Sequence, residues 1–246
     1  MKKKALLGIL ALIMAYTAYA YDNEKDFTAV LMEDGRSVEI RRYLGNKKTV
    51  NIPPRINNLP VTRIGDSAFY NLKITKITIP RGVTTIGWSA FQNCESLTDI
   101  TIPSGVTTIE TDAFAYCTKL KNITIPSSVT AIGDTAFKEC KSIKKIIIPS
   151  GVTTIGYWTF NRCTSLVSIN VPSSVTSIGE RAFADCKSLT SITIPASVKK
   201  IDDEVFLNWT SSQTINIEGH ANQQSADRTF GKNWLDGCKA QINYRG

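Results

Sequence analysis

One period dominates this sequence: between Pro80 and Ile217, proline, phenylalanine and cysteine each recur every 23 residues. The prolines keep the spacing at Pro80, Pro103, Pro126, Pro149, Pro172 and Pro195. The phenylalanines keep it from Phe91 to Phe206, and the cysteines from Cys94 to Cys186. A fixed period of roughly 20–50 residues is typical of a solenoid, in which each repeat packs only on its neighbours. We therefore expect functional residues at the variable positions of a repeated structural unit.

Each unit carries the apolar pattern of one half-buried strand followed by a turn. Leu97, Ile100 and Ile102 have the spacing of a strand with one buried face, and Pro103 ends it because proline has no N–H to donate. A short helical turn is predicted around Ala113 and Phe114. The glycine after the recurring isoleucine suggests a left-handed turn at Gly65, Gly87, Gly133, Gly156 and Gly179. Glutamate and aspartate hold this position at Glu110 and Asp202, so positive φ is not strictly required there.

The first twenty residues have the features of a secretory signal peptide. Lys2, Lys3 and Lys4 precede an apolar run over 5–15, and Ala18-Tyr19-Ala20 offers a cleavage site. A membrane anchor is the alternative, but the apolar run is too short to span a bilayer comfortably. No later stretch is long and apolar enough to span a membrane, so we expect the mature chain to have no transmembrane segment.

The rest of the chain divides into three predicted parts. Residues 21–49 form an N-terminal hairpin cap with Asp34-Gly35 at its turn. Residues 50–217 hold one divergent repeat and six regular ones, and residues 218–246 form a C-terminal cap over the open end of the core. In the last repeat Trp209 replaces the cysteine and Ser212 replaces the leucine.

The cysteines are predicted to form a buried column, because five of them occupy one equivalent position per repeat. An exported chain with six cysteines invites a disulfide interpretation, and pairing among Cys94 to Cys186 is the alternative. Neighbours in the column would have parallel Cβ vectors, which favours free thiols. A zinc site is disfavoured because there is no C-x-x-C motif and His220 is the only histidine. We expect no metal and no cofactor.

Segments such as Ser174–Cys186 and Leu189–Pro195 resemble the repeats of the BspA-like leucine-rich repeat family, the Treponema pallidum type. The resemblance covers about residues 50–217. It implies an α/β leucine-rich-repeat solenoid with one long parallel β-sheet face, short helical or irregular segments opposite, and caps at both ends. It also implies a bacterial protein, secreted or at the cell surface, often linked to adhesion to host proteins or other cells. The family pattern brings no catalytic residues.

The predicted sheet exposes a face rich in hydroxyls, amides and lysines. Threonine suits an exposed pleat and lysine keeps it soluble, which is the structural interpretation of this face. The functional interpretation is that this face binds a protein or glycan ligand, such as an acidic host glycoprotein or a sulfated glycan. The candidate partner-binding residues are Lys76, Thr78, Asp99, Thr101, Lys121, Asn122, Thr124, Lys144, Lys145 and Asn170. Trp88 and Trp158, on the opposite side, are either exposed anchors or gap-filling residues.

Composition and motifs favour a binding module over an enzyme or a nucleic-acid partner. After removal of the three signal lysines, 26 basic residues face 21 acidic ones, a mild excess that does not point to nucleic acid on an exported protein. No G-x-S-x-G, H-E-x-x-H or phosphate-binding loop occurs. Two carboxylates would suffice for the catalytic site of a glycosidase. A repeat array rarely forms the substrate-binding cleft that such an enzyme needs, so we disfavour this activity. We expect a secreted or surface-exposed, non-catalytic adhesion module; a self-assembling surface or periplasmic scaffold is the alternative.

Overall fold

The computed structural model describes residues 21–246, so the predicted signal peptide lies outside the described residues. The chain winds into a β-solenoid, which confirms the predicted architecture. Each coil has three sides: a strand of three to five residues, a two-residue strand, and a run of turns. We refer to these as the long-strand face, the short-strand face and the turn face.

The long-strand face holds the strands that the sequence pattern predicts. They are β3 (Thr49–Asn51), β6 (Lys76–Thr78), β8 (Asp99–Thr101), β10 (Asn122–Thr124), β12 (Lys145–Ile147), β14 (Ser168–Asn170), β16 (Ser191–Ile194), β18 (Thr214–Glu218) and β19 (Gln241–Arg245). Except between β10 and β12 and between β14 and β16, neighbours pair in parallel with a register of one repeat, so that Ile77 lies beside Ile100. Because side chains alternate along a strand, this register stacks the isoleucines inward and the polar residues outward.

The short-strand face adds a second parallel ladder that the sequence pattern does not predict. Its strands are β5 (Leu59–Ile64), β7 (Thr85–Ile86), β9 (Thr108–Ile109), β11 (Ala131–Ile132), β13 (Thr154–Ile155), β15 (Ser177–Ile178) and β17 (Lys200–Ile201). β4 (Arg55–Ile56) forms a small antiparallel hairpin with β5 in the divergent first repeat. Most of these strands have only two residues, too few for an alternating pattern to show.

The turn face consists of consecutive turns, so the prediction of a helical turn at Ala113 and Phe114 is wrong. Three backbone N–H groups per coil bond forward to the next coil, as in Asp112 to Asp134, Phe114 to Ala136 and Tyr116 to Lys138, at 2.8–3.0 Å. The two outer residues of each trio have positive φ. They are Ser67, Asn71, Ser89, Asn93, Asp112, Tyr116, Thr135, Glu139, Trp158, Arg162, Arg181, Asp185, Glu204 and Asn208. The left-handed conformation aims alternate N–H groups in one direction, at a cost that the inter-coil ladder offsets.

The prediction of left-handed glycines at Gly65, Gly87, Gly133, Gly156 and Gly179 is also wrong. These residues have ordinary φ, and the positive φ lies two residues later. Glycine is favoured here because the previous coil lies so close. A Cβ on Gly133 would lie 2.4 Å from the Thr111 nitrogen. The requirement is therefore one of space and not of backbone conformation.

Two stacked columns of side chains fill the core. The seven phenylalanine rings from Phe69 to Phe206 stack at 5.2–6.1 Å between centroids and within 17° of parallel. Beside them the five repeat cysteines are buried free thiols, which confirms the predicted column. Each Sγ lies 3.0–3.2 Å from the carbonyl oxygen of the phenylalanine one repeat earlier, close enough for the thiol to donate a hydrogen bond.

Extra elements cover both ends of the solenoid. At the N-terminal end β1 (Phe27–Leu31) and β2 (Val38–Tyr43) form the predicted antiparallel hairpin, with Gly35 at φ 65°. Tyr43 continues the phenylalanine column by stacking 5.7 Å from Phe69. At the other end the helix α1 (Gln223–Phe230) follows β18, and Trp234 packs edge-on against Phe206 at 6.4 Å. Trp209 keeps the function of the cysteine it replaces, because its Nε1–H donates to Phe183 O at 2.9 Å.

Candidate functional site

The outward side chains of the long-strand face form three columns across the coils. One column immediately precedes the strands and includes Lys121, Lys144 and Val167. The next is formed by the first strand residues, which include Lys76, Asp99 and Lys145, and the third includes Thr124 and Ile147. Parallel register places equivalent residues of successive coils side by side, about 5 Å apart within a continuous ladder. The face thus brings together side chains from positions 23 residues apart.

Three of the four candidate lysines gather on two neighbouring coils. Lys121 precedes β10, Lys144 precedes β12, and Lys145 is the first residue of β12. Lys76 lies apart from them, with Asp99 as its register partner on β8. All four side chains are exposed, and none forms an ion pair within residues 21–246. The positive charge of this face is therefore concentrated around Lys121, Lys144 and Lys145.

Two aliphatic side chains are exposed next to these lysines. Ile147 is 59% exposed and Val167 is 53% exposed. The third column has threonine at Thr101, Thr124 and Thr193, so Ile147 is an apolar side chain where other coils place a hydroxyl. Exposed apolar groups that cluster with charges are informative, whereas isolated ones are common. We call Lys121, Lys144, Lys145, Ile147 and Val167 the central patch.

The sheet is interrupted at the central patch. A break also separates β14 from β16, but the break at the central patch lies between β10, which ends the ladder that it shares with β8, β6 and β3, and β12, which pairs with β14. At the equivalent boundary of the short-strand face, β11 ends one sheet and β13 begins another. The turn face stays bonded there, with Phe137 donating to Thr159 O at 3.0 Å. Like charges on neighbouring strands repel each other, and Lys121 faces Lys144 across this boundary.

A groove of about 670 Å³ lies along the interruption. Its lining includes the three lysines of the central patch and also Ile123, Ile125 and Ile147. Ile123 is only partly buried, whereas the equivalent Ile77 and Ile100 are 1% and 5% exposed. The interruption therefore opens the edge of the hydrophobic core beneath a rim of lysines.

The other predicted site residues have more limited roles. Thr101 and Thr124 are exposed, and Thr78 is half-buried. Asp99 lies between Lys76 and Asn122 in the register. The Asn170 side-chain amide is hydrogen-bonded within the protein. Its Oδ1 accepts from the Ile148 N–H at 2.8 Å, and its Nδ2 donates to Ile148 O at 3.2 Å. Asn170 thus extends the pairing of β14 with β12.

Gln213 occupies an outward position in the repeat pattern, but its side chain is buried. Its Nε2 donates to Cys186 O at 3.1 Å and to Leu189 O at 2.8 Å, and its Oε1 accepts from the Thr210 N–H. Gln213 thus faces inward, although the repeat pattern alone predicts an outward side chain. In the last regular coil this amide satisfies carbonyl groups of the preceding coil.

The two tryptophans of the opposite side differ. Trp88 is 49% exposed and borders a second groove, on the short-strand face, of about 440 Å³. Trp158 packs between two cations, with Lys138 Nζ at 4.2 Å and Arg181 Cζ at 5.0 Å from its ring. The gap-filling interpretation therefore describes Trp158, whereas Trp88 has the exposure of an anchor.

The turn face and the short-strand face hold compensated charges, unlike the central patch. The Arg63 guanidinium contacts Glu39, Asp66 and Glu110 at 2.8–3.0 Å and so joins three coils. Glu110 stands at a glycine position of the repeat, and its carboxylate also accepts from the Trp88 N–H. On the turn face Glu139 contacts both Lys141 and Arg162 at 2.9 Å.

The thiol column has none of the properties of a reactive site. Burial raises the pKa of Cys94 and of Cys186 to about 12, and raises those of Cys117, Cys140 and Cys163 well above the usual range. Thiolates are the nucleophiles and metal ligands, so these protonated groups are inert. Within residues 21–246 no cluster of three His, Cys, Asp or Glu side chains could hold a metal ion, and no helix has the length and hydrophobicity to cross a membrane.

The parallel ladders, the stacked apolar columns and the polar outer face define a leucine-rich-repeat solenoid of the kind that presents a sheet for recognition. The family model for the BspA-type leucine-rich repeat region matches residues 47–166 and 130–241, in six copies. The chain therefore belongs to the BspA-type leucine-rich repeat family.

Among solved structures, the leucine-rich repeat protein of T. pallidum is 29% identical. The match has a TM-score of 0.59 and covers 69% of this chain and 90% of that one. A leucine-rich repeat protein from Bacteroides capillosus is 33% identical over 49% of this chain and 92% of its own, with a TM-score of 0.45. One from Bacteroides ovatus is 24% identical over 92% of this chain and 67% of its own, with a TM-score of 0.46. No curated protein matches the sequence.

Proposed function

We propose that the chain is an exported, non-catalytic adhesion module that binds a macromolecular partner through the long-strand face. The concentration of unpaired lysines beside exposed aliphatic side chains is the observation that carries the proposal. Surfaces with complementary charge steer association, and apolar residues at the centre of a contact supply most of the affinity. Membership of a family of repeat proteins typical of interaction surfaces supports the same function.

The proposed place of action is outside the cytoplasm, either released or at the cell surface. The basic and apolar run before Tyr21, with its Ala-Tyr-Ala site, supports export. The partner that we propose is an acidic protein or glycoprotein of a host or of a neighbouring cell. The proposal includes no cofactor and no nucleic acid.

Charge reversal on the face tests the proposal. Residues 21–246 would be immobilised and exposed to host extracellular-matrix and bacterial-surface extracts, and bound proteins measured over a range of salt concentrations. The test variant replaces Lys76, Lys121, Lys144 and Lys145 by glutamate. The matched control makes the same change at four exposed lysines off the face: Lys73, Lys119, Lys187 and Lys232.

The test variant should lose most bound material and most of the salt dependence, because both come from lysine contacts on this face. The control should bind like the native chain. Circular dichroism of both variants would confirm that each is folded. Equal binding by native chain and test variant would refute recognition through the long-strand face.

A self-assembling scaffold is the second candidate, and the N-terminal cap favours it. β1 lies at the end of its sheet and carries the exposed side chains Val30 and Leu31, with the exposed Leu44 nearby. An open edge strand with apolar groups is a ready surface for another copy. Sedimentation velocity over a range of concentrations separates the two functions: a stable monomer supports the binding module, and open-ended growth supports the scaffold.

A further inference from the structure

We propose that the groove between β10 and β12 binds an extended acidic peptide segment and seats one aliphatic side chain of that segment against Ile147. The inference rests on the proposed function, because it names the partner chemistry for the same face. It narrows that function from a whole face to the central patch. It also places Lys76 outside the binding site.

The charges of the groove favour an anionic ligand. Lys121, Lys144 and Lys145 all line it, and no carboxylate is among its lining residues. The acidic residue nearest in the register, Asp99, lies two strands from β12 and pairs in position with Lys76. Three unpaired ammonium groups around one depression repel each other, and an anionic ligand would relieve that repulsion.

The apolar floor separates a peptide from a purely ionic ligand. Ile147 is exposed, and the partly buried Ile123 lies within the same groove. A sulfated glycan would satisfy the lysines but leave these side chains against water or sulfate. A peptide with an aliphatic residue between acidic ones would pair with the lysines and also cover the isoleucines. Apolar side chains seated in a pocket are typical of the centres of interfaces.

Backbone groups at the interruption suit a peptide as well. In the coil before it, the Lys121 N–H donates to Thr98 O at 3.1 Å, and in the coil after it the Val167 N–H donates to Lys144 O at 2.9 Å. Among the described residues, neither the equivalent bond from the Lys144 N–H to Lys121 O nor the one from the Thr190 N–H to Val167 O is formed, and only the first of these lies at the groove. The Lys144 N–H and the Lys121 carbonyl thus lack their inter-coil bond beside the groove, and an extended peptide backbone offers both an acceptor and a donor.

The test uses fluorescent peptides and residues 21–246 in anisotropy titrations. The probe contains repeats of Glu-Glu-Leu-Glu-Glu, and two comparison peptides replace its leucine by serine or its glutamates by glutamine. A sulfated heparin oligosaccharide serves as the competing ligand class. The protein variants are a triple charge reversal of Lys121, Lys144 and Lys145, an Ile147→Thr change, and a Lys76→Glu control.

We expect the leucine probe to bind and the triple reversal to weaken it by about tenfold or more, since each exposed pair contributes a few-fold. Ile147→Thr, which restores the residue of other coils, should weaken it by about three- to tenfold through lost apolar contact. Lys76→Glu should leave the affinity within about twofold. The serine and glutamine peptides should bind more weakly than the probe.

The inference is overturned if the probe does not bind, if the triple reversal binds it equally well, or if serine replaces leucine without loss. Binding of the sulfated oligosaccharide without binding of the probe also overturns it. If the fourfold reversal abolishes capture from extracts while the probe fails to bind, the long-strand face is a binding surface for a different ligand. The proposed function then stands and only this inference falls.

Discussion

The buried thiol column makes the fold sensitive to alkaline pH. Burial raises the pKa of each repeat cysteine, to about 12 for Cys94 and Cys186. In the unfolded chain the same thiols titrate near pKa 8.5. The folded state therefore keeps protons that the unfolded chain releases, so this stabilising effect is complete below about pH 8.5 and is lost as the pH rises toward 12.

The size of the effect follows from the number of thiols. Above about pH 9 each protonated thiol lowers the free energy of unfolding by about 1.4 kcal/mol per pH unit. The five cysteines of the column together give a slope of about 7 kcal/mol per unit. Near pH 10 the cumulative loss is on the order of 10 kcal/mol, comparable with the whole stability of an ordinary domain.

Urea unfolding followed by tryptophan fluorescence, in reducing buffer from about pH 7 to about pH 10, measures this slope. Cys140→Ala should reduce the slope by about one fifth, because one titrating group is removed. Leu120→Ala, a core change without a titrating group, should lower stability at every pH and leave the slope unchanged. A flat pH dependence, or the same slope in Cys140→Ala, would contradict the buried column.

Two further substitutions test the packing between coils. Phe137→Ala removes a ring whose centroid lies 5.5 and 5.7 Å from those of Phe114 and Phe160, and it should lower the free energy of unfolding by about 3–5 kcal/mol. The control Tyr157→Ala, at an exposed position, should lower it by about 0.5 kcal/mol or less. Gly133→Ala should cost about 1–3 kcal/mol because its Cβ would meet the Thr111 backbone at 2.4 Å. The control Gly151→Ala, at a position where other coils have serine, should leave stability nearly unchanged in the same urea titration. Similar losses of stability for the two substitutions would refute the close approach of the preceding coil to Gly133.

Much of the fold is predictable because the period fixes it. Proline, phenylalanine and cysteine at constant spacing give one coil per 23 residues, and the alternating Leu97, Ile100 and Ile102 give the strand and its outer face. Asp34-Gly35 gives the N-terminal hairpin through its turn preference. These are local or periodic signals, and they depend little on what lies across the core.

Features that depend on contacts between coils are not predictable in this way. The short-strand ladder has mostly two-residue strands. Several left-handed residues, such as Trp158 and Arg162, are not of the types that favour positive φ, although others are asparagine or aspartate. The inward turn of Gln213 depends on carbonyl groups of the preceding coil. One available signal was missed: Ile147 and Val167 break the threonine and lysine pattern of the outer columns.

Site-directed photo-crosslinking tests most directly whether the long-strand face is the recognition surface. A photoreactive phenylalanine analogue would be placed at Val167, within the central patch, or at Tyr70, which is exposed on the turn face. After exposure to matrix extract and irradiation, we predict that the Val167 site yields crosslinked partner, and that reversal of Lys121, Lys144 and Lys145 removes it. Equal crosslinking from Tyr70, or a Val167 yield that survives the reversal, would contradict the account.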